Sequence, residues 1–210
     1  MMLLVNNGIF YEFIPSEEFF NENPTRISLA DVKLGVNYVI ILNTNAGLWG
    51  YNIGDTIEFT SINPPRIIVT GRIKHFISAF GEHVIGKEIE NSINSHTIDT
   101  GITVSEFTVA PQITPETGLP YHQWFIEFDK KPTNIDEFAK KIDTTLQQQN
   151  SYYLDLIIGK ILQPLKITVI EKGGFNKYMK SVGKLGGQNK VPRLSNDRKI
   201  ADALLKYEEK

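Results

Sequence analysis

The chain contains no cysteine. That absence excludes disulfide frameworks, thiolate nucleophiles and cysteine-bound zinc. Histidine is scarce as well: His75, His83, His96 and His122 are scattered, and no two have the spacing of an HxxxH metal pair. Long apolar runs are missing. A stretch such as residues 38–42 is far too short to span a bilayer, and the N-terminal residues lack the charged-then-apolar layout of a leader. Neither charge dominates: 22 Lys and Arg against 24 Asp and Glu leave a formal net charge of −2. On that balance neither nucleic acid nor an anionic membrane is an expected partner, and a cytoplasmic soluble protein is the default. A Ser-His-Asp ordering is absent too, so hydrolase chemistry has no support.

What is present is enough to fold. With 210 residues, 41% of them hydrophobic, the chain has length for one large domain or two small ones. The first third reads as β structure. Residues 8–14 (GIFYEFI), 37–42 (NYVIIL), 56–62 (TIEFTSI) and 66–70 (RIIVT) are short aromatic and β-branched runs, separated by turn chemistry at 21–24, 43–50 and 63–65. After Arg72 the pattern changes. Ile85, Ile89 and Ile93 share a helical face, as do Ile135, Phe138, Ala139, Ile142 and Leu146, and again Leu154, Ile157, Ile158 and Ile161. Ile200, Ala203, Leu204 and Tyr207 mark a closing helix, with Asn196 or Asp197 as its cap. Strand runs at 103–110, 122–129 and 165–171 lie between, and the helices are expected on one side of that small sheet, facing Trp124, Ile126 and Phe128. The expected class is α+β: a β-rich piece over residues 1–72, then a small mixed α/β domain over 73–210. A β-rich piece of that size is expected to need a partner over its edges.

Four motifs carry possible chemistry, each with a plainer reading beside it. Residues 81–88 (GEHVIGKE) spell the GxxxxGK of a phosphate loop, but Glu88 stands where a magnesium-ligating hydroxyl is required. Gly86 and Lys87 are expected instead to open a helix. Asp55, in Tyr51-Asn52-Ile53-Gly54-Asp55, follows a glycine turn; its carboxylate either accepts from both hydroxyls of a ribose or is an ordinary turn residue between strands. Arg72-Ile73-Lys74 falls at the composition boundary and is either a hinge or a strand end with two solvated cations. Residues 182–193 (VGKLGGQNKVPR) form a glycine-rich loop carrying Lys184, Lys190 and Arg193. Such a loop either delivers a lysine to an anionic transition state or connects to the final helix.

Taken in order, YNIGD, GRIKH, FGEHVIGKEIE and a lysine in a late loop resemble the adenylate-forming superfamily. NNGIFYEFIP, NTNAGLWGYNIGD, RIIVTGRIKHFISAFGEHVI and LGGQNKVPRLSNDRKI resemble more closely the acyl-acid amido synthetases of the Gretchen-Hagen type auxin-responsive promoter family, in its bacterial form. The resemblance covers essentially the whole chain. It implies that residues 1–72 are the β-rich end of a large N-terminal adenylation domain and 73–210 a C-terminal lid. The implied parent is a ligase that joins a carboxylic acid to ATP, releases pyrophosphate, and passes the acyl group to an amino acid.

The same resemblance gives Asp55 and Tyr51 to the nucleotide, Arg72 and Lys74 to the hinge, and Lys190 to catalysis, with Arg193 supporting the loop or a phosphate. ATP and AMP are the implied ligands; magnesium is implied without any ligand identified. The remaining adenylation domain, which in such enzymes holds the phosphate loop and acyl pocket, is the implied partner. The expectation is therefore a C-terminal fragment inactive alone, with a stand-alone, non-catalytic lid-like binding or regulatory protein as the alternative. Two residues depart from the pattern: Asn52 replaces a basic residue and His75 an acidic one.

Overall fold

A computed structural model describes residues 1–5, 7–73, 76–98, 100–184, 186 and 190–209, with residue 76 described by its backbone alone. The chain divides into two compact units, Met1–Lys74 and His75–Lys210.

In the first unit the four apolar runs pair with their sequence neighbours. β1 (Ile9–Pro15), β2 (Asn37–Thr44), β3 (Tyr51–Ser61) and β4 (Arg66–Arg72) form an antiparallel meander in that order. Alternation along β2 sends Tyr38 and Ile40 into a cluster with Phe13, Ile57, Phe59 and Ile67. Val39 and Ile41 go to the other face, with Ile14 and Ile73. Phe13 and Phe59 meet edge to face at 5.1 Å. Residues 1–3 run along the β4 edge: Ile67 N–H donates to the Met1 carbonyl at 2.8 Å and Leu3 N–H to the Pro65 carbonyl at 2.9 Å.

β3 begins at Tyr51, five positions before the expected start at Thr56. Asn43 explains the difference. Its Oδ1 accepts from Gly50 N–H at 2.7 Å and its Nδ2 donates to Glu12 Oε2 at 2.8 Å, so the connecting loop is closed before Tyr51. Asp55 consequently lies within a strand and is not a turn residue between strands.

The second unit is built on a three-stranded sheet. After the short hairpin β5 (Phe76–Ile77) and β6 (Val84–Ile85) come α1 (Gly86–Thr97), β7 (Thr103–Gln112), β8 (Tyr121–Lys130), α2 (Ile135–Gln149) and α3 (Ser151–Ile158). β9 (Lys166–Ile170), α4 (Gly174–Ser181) and α5 (Lys199–Leu204) follow, with a 3₁₀ turn over Leu205–Tyr207. β8 is central, antiparallel to β7 and parallel to β9. Gly86 does open a helix. Glu88, the residue that disqualifies a phosphate loop, accepts from Ile85 N–H at 2.9 Å and so caps α1. Burial raises the Glu88 pKa, against the hydrogen bonds from Ile85 and Asn150.

Helices cover both faces of this sheet, not one. Trp124 and Ile126 pack with Ile89, Ile93, Phe138, Ile142, Leu146 and Tyr153 of α1, α2 and α3. Phe125 faces the opposite way, onto Phe175 and Met179 of α4 and Ala201 and Leu204 of α5. Trp124 and Ile126 face one way and Phe125 the other, and the polar neighbours of Phe125 on its face, Gln123 and Glu127, are buried as well, so both sides are covered. The α3 face also differs from its expected periodicity. The helix ends at Ile158, which is exposed like Ile161, and its buried residue is Tyr153. Tyr153 donates from its hydroxyl to Asp143 Oδ1 at 2.7 Å, and its N–H donates to Asn150 Oδ1 at 2.8 Å. Burial, reinforced by the Asp143 charge, raises the Tyr153 pKa well above its ordinary value. In α5 the buried residues are Ala201 and Leu204, and Arg198 takes the cap position while Asp197 Oδ1 accepts from Lys199 N–H at 3.0 Å. Among the described residues no helix is long and apolar enough to cross a membrane.

Glu82 joins the β5–β6 loop to the sheet. Its Oε1 lies 2.8 Å from His122 Nε2, both side chains fully buried, and its Oε2 accepts from Phe80 N–H at 2.8 Å. Burial alone pushes this carboxyl up; His122 and the nearby backbone N–H groups outweigh it and hold the pKa below the ordinary value. Glu82 therefore contributes stability above the ordinary glutamate range, lost as pH falls through the folded-state value. Glu82→Gln is expected to cost roughly 1–3 kcal/mol at neutral pH. Urea unfolding across an acid series should show that gap narrowing below about pH 4; a constant gap would contradict the linkage. Gly174→Ala tests the packing of α4, because an added Cβ would stand 2.4 Å from Ile170 Cγ2 and 3.1 Å from Tyr207 Cβ. Its expected cost is about 1–3 kcal/mol in thermal or urea unfolding.

Candidate functional site

Asp55 owes its position to an irregularity in β3. Against β2 the register passes from Val39 opposite Thr56 to Ile41 opposite Asn52, so residues 53–55 all face the single Ile40. This bulge has a local cause. Gly54 takes φ +87°, a conformation L side chains rarely adopt, and its N–H donates to Asn52 Oδ1 at 2.7 Å in an Asx-type turn. Asn52, one of the two departures from the family pattern, thus shapes the bulge. On the β4 side Asp55 stands directly opposite Arg72, ahead of a register shift between Thr56 and Ile57, and Ile73 N–H donates to the Gly54 carbonyl at 2.8 Å.

The bulge and the opposite strand bring two predicted site residues together. Arg72 Nε lies 3.1 Å from Asp55 Oδ1, with 63% of the arginine side chain and 26% of the aspartate side chain exposed. The arginine gives the carboxylate a fixed partner on one oxygen, and the remaining exposure leaves it open to a hydroxyl-bearing ligand. Ile73, 2% exposed, anchors the chain immediately after Arg72 in the apolar cluster of Val39 and Ile41. Tyr51 is exposed at the start of β3. Lys74 and His75 lie outside the described residues. The loop before β3 also carries Trp49, 86% exposed beside a groove of about 500 Å³ lined by Val5, Phe10 and Leu48, which the motif reading passed over.

In the second unit Lys190 is exposed, and the residue after it is buried. Arg193 is far from a free cation. Its guanidinium lies 4.2 Å over the Phe107 ring, pairs with Glu106, stands 4.0 Å from Glu90 and donates from Nη1 to the Phe107 carbonyl at 3.2 Å. Burial lowers its pKa, opposed by the Glu90 charge. Glu106 is the legible clue to these partners, the one charge in an otherwise uncharged strand, but nothing local names Arg193 as its mate. Among the described residues no group of three or more His, Asp or Glu side chains is placed to hold a metal ion.

Residues 2–72 match the GH3 family central domain and residues 87–199 the GH3 family C-terminal domain. Among curated relatives, indole-3-acetic acid-amido synthetase GH3.3 of Arabidopsis thaliana is 25% identical over 212 residues, covering 96% of this chain and 36% of that protein. Jasmonoyl--L-amino acid synthetase JAR4 of Nicotiana attenuata is 22% identical over 200 residues, covering 91% of this chain and 34% of that protein. The chain thus spans about a third of the length of the curated relatives it matches. Among solved structures, a GH3.15 acyl acid amido synthetase superposes with a TM-score of 0.74 at 20% identity, over 96% of this chain and 37% of that one. A 2-hydroxyisobutyryl-CoA ligase in the postadenylation state gives 0.51 at 17% identity, over 83% and 35%.

The exposure of the Asp55–Arg72 pair has an energetic consequence. A partly exposed ion pair contributes at most about 1 kcal/mol, so Asp55→Ala is expected to change the urea stability of the first unit by no more than that. Phe59→Ala, in the buried core, is expected to cost about 3–5 kcal/mol by the same measurement. A large loss from Asp55→Ala would assign the carboxylate to holding the fold.

Proposed function

Because the chain belongs to the GH3 family, we propose that its residues supply the ribose grip and the catalytic cation of an ATP-dependent acyl acid amido synthetase. In this reading residues 1–72 are the β-rich end of an adenylation domain and 73–210 its lid, with the swivel at Arg72 and Lys74. The rest of the adenylate site belongs to polypeptide outside these 210 residues. The observation that carries the proposal is the Asp55 carboxylate, raised on a bulge, steadied on one oxygen by Arg72 and left partly open.

The chemistry asks two things of this chain. A substrate carboxylate oxygen must attack the α-phosphorus of ATP, forming a new P–O bond as the bond to pyrophosphate breaks. Both partners are anionic, so a cation between them lowers the barrier. Lys190 is assigned that role, worth about 2.7–4 kcal/mol by comparison with preorganised oxyanion donors. Asp55 accepts hydrogen bonds from the two ribose hydroxyls and fixes the nucleotide, with Tyr51 beside it on β3. In the second half-reaction the nitrogen of an amino acid attacks the acyl carbon, AMP leaves, and the ammonium proton passes to water. No residue of this chain is assigned to magnesium, and no step is routed through it.

The test joins these residues to an adenylation region of the family and follows the two half-reactions separately. Lys190→Ala should slow pyrophosphate exchange by roughly 10²–10³-fold while amide formation from supplied acyl-adenylate continues. Asp55→Ala should chiefly raise the nucleotide concentration needed. The 210 residues alone should leave exchange at background. Equal loss of both half-reactions in Lys190→Ala would remove that residue from adenylation, and unchanged nucleotide dependence in Asp55→Ala would remove the ribose grip. Exchange by the short chain alone would overturn the division of the site.

A further inference from the structure

Lys190 stands one residue from a point where the chain is fastened to the second unit. Val191 and Leu194 are 5% and 1% exposed. Between them the backbone runs beside β7. Thr108 Oγ1 donates to the Pro192 carbonyl at 2.7 Å, Val109 N–H donates to the Arg193 carbonyl at 2.9 Å, and Ser195 N–H donates to the Val109 carbonyl at 3.0 Å. Val109 and Leu194 form an isolated parallel bridge, so this segment is pinned along the β7 edge. Further along, Ser78 N–H donates to Asn196 Oδ1 at 2.9 Å.

Arg193 locks that pinned segment in place. Its backbone carbonyl sits in the ladder while its side chain grips the same stretch of β7, through the Phe107 ring, the Phe107 carbonyl and Glu106. A phosphate would have to compete with two carboxylates, Glu106 and Glu90, for this guanidinium. That charge balance decides between the two roles read from the sequence. The geometry points to Arg193, Glu106 and Phe107 as a clamp that positions Lys190, so that the lysine is carried by the second unit as a fixed arm. Arg193 is then a positioning residue and not a phosphate ligand. The inference deepens the reading of Lys190 as the adenylation cation and rests on it for its functional meaning. A stacked, forked guanidinium is not replaceable by lysine, which lacks both the plane and the second donor.

The absence of cysteine makes the test direct, because two introduced cysteines are the only sites for nitroxide labels. Lys190→Cys paired with Gln148→Cys, exposed on α2, reports where the arm stands, and Gln148→Cys with Lys180→Cys on α4 serves as the control pair. Pulsed dipolar spectroscopy should give one narrow distance distribution for the first pair, as narrow as the control. Arg193→Met and, independently, Glu106→Gln should each widen the first distribution by about twofold or more, with the control pair unmoved. A first distribution already broad with Arg193 and Glu106 intact overturns the clamp. So does widening shared equally by the control in both variants, which marks general loosening. Failure of the cation role reads out elsewhere: pyrophosphate exchange untouched by Lys190→Ala would remove that role and leave these distances as they are.

Discussion

Asp55 is pushed out of the ladder with β2 yet stays paired with Arg72 of β4, and the candidate site in the first unit follows from that conflict. A regular strand would alternate residues 53, 54 and 55 between the two faces and close both ladders. Here the positive φ of Gly54 and the side chain of Asn52 absorb the extra length, and the bulge turns the carboxylate toward Arg72. Ile73 then buries, fixing the end of β4. The exposure of both charged groups says what the arrangement is not for. An ion pair this open adds little to folding, whereas the apolar clusters on both faces of the meander hold the unit.

The second unit solves a related problem by different means. An exposed lysine on a long side chain has no position of its own, so its placement depends on the backbone beside it. Burial of Val191 and Leu194 supplies the energy of that anchorage, on the order of 1.5–3 kcal/mol for each side chain. The polar contacts of Arg193 add direction more than energy, since a guanidinium stacked on Phe107 and paired with Glu106 has few other orientations. In both units the charged group that the proposal assigns to a ligand is left open, and its immediate neighbour in sequence or across the sheet is fixed.

Much of this was legible in the amino-acid order, and the exceptions have physical causes. The runs GIFYEFI and NYVIIL announced their strands because β-branched and aromatic residues fit a pleated surface whatever their partners. The start of β3 is not legible because Asn52 and Gly54 read as turn residues, and a bulge uses the same residues inside a strand. In β8 the alternation shows the face of Trp124 and Ile126 but not what covers Phe125, because the helices over it come some fifty to eighty residues later, beyond any local period. The Arg193 clamp joins groups 86 residues apart, and the Glu82–His122 pair spans 40, so neither contact leaves a spacing to detect. Motif order singles out Lys190 and Asp55 as candidates; the contacts around them leave no local signal.

The claim on which the functional account turns is that the Asp55 bulge grips a ribose through its two hydroxyls. Backbone amide shifts of the 210-residue protein, followed by heteronuclear NMR during titration with AMP and with 2′,3′-dideoxy-AMP, test it most directly. The account predicts that AMP at millimolar concentration moves the resonances of Gly54, Asp55, Thr56 and Arg72, and that the dideoxy nucleotide leaves them in place. Equal shifts with both nucleotides, or AMP-induced shifts confined to residues away from the bulge, would contradict it.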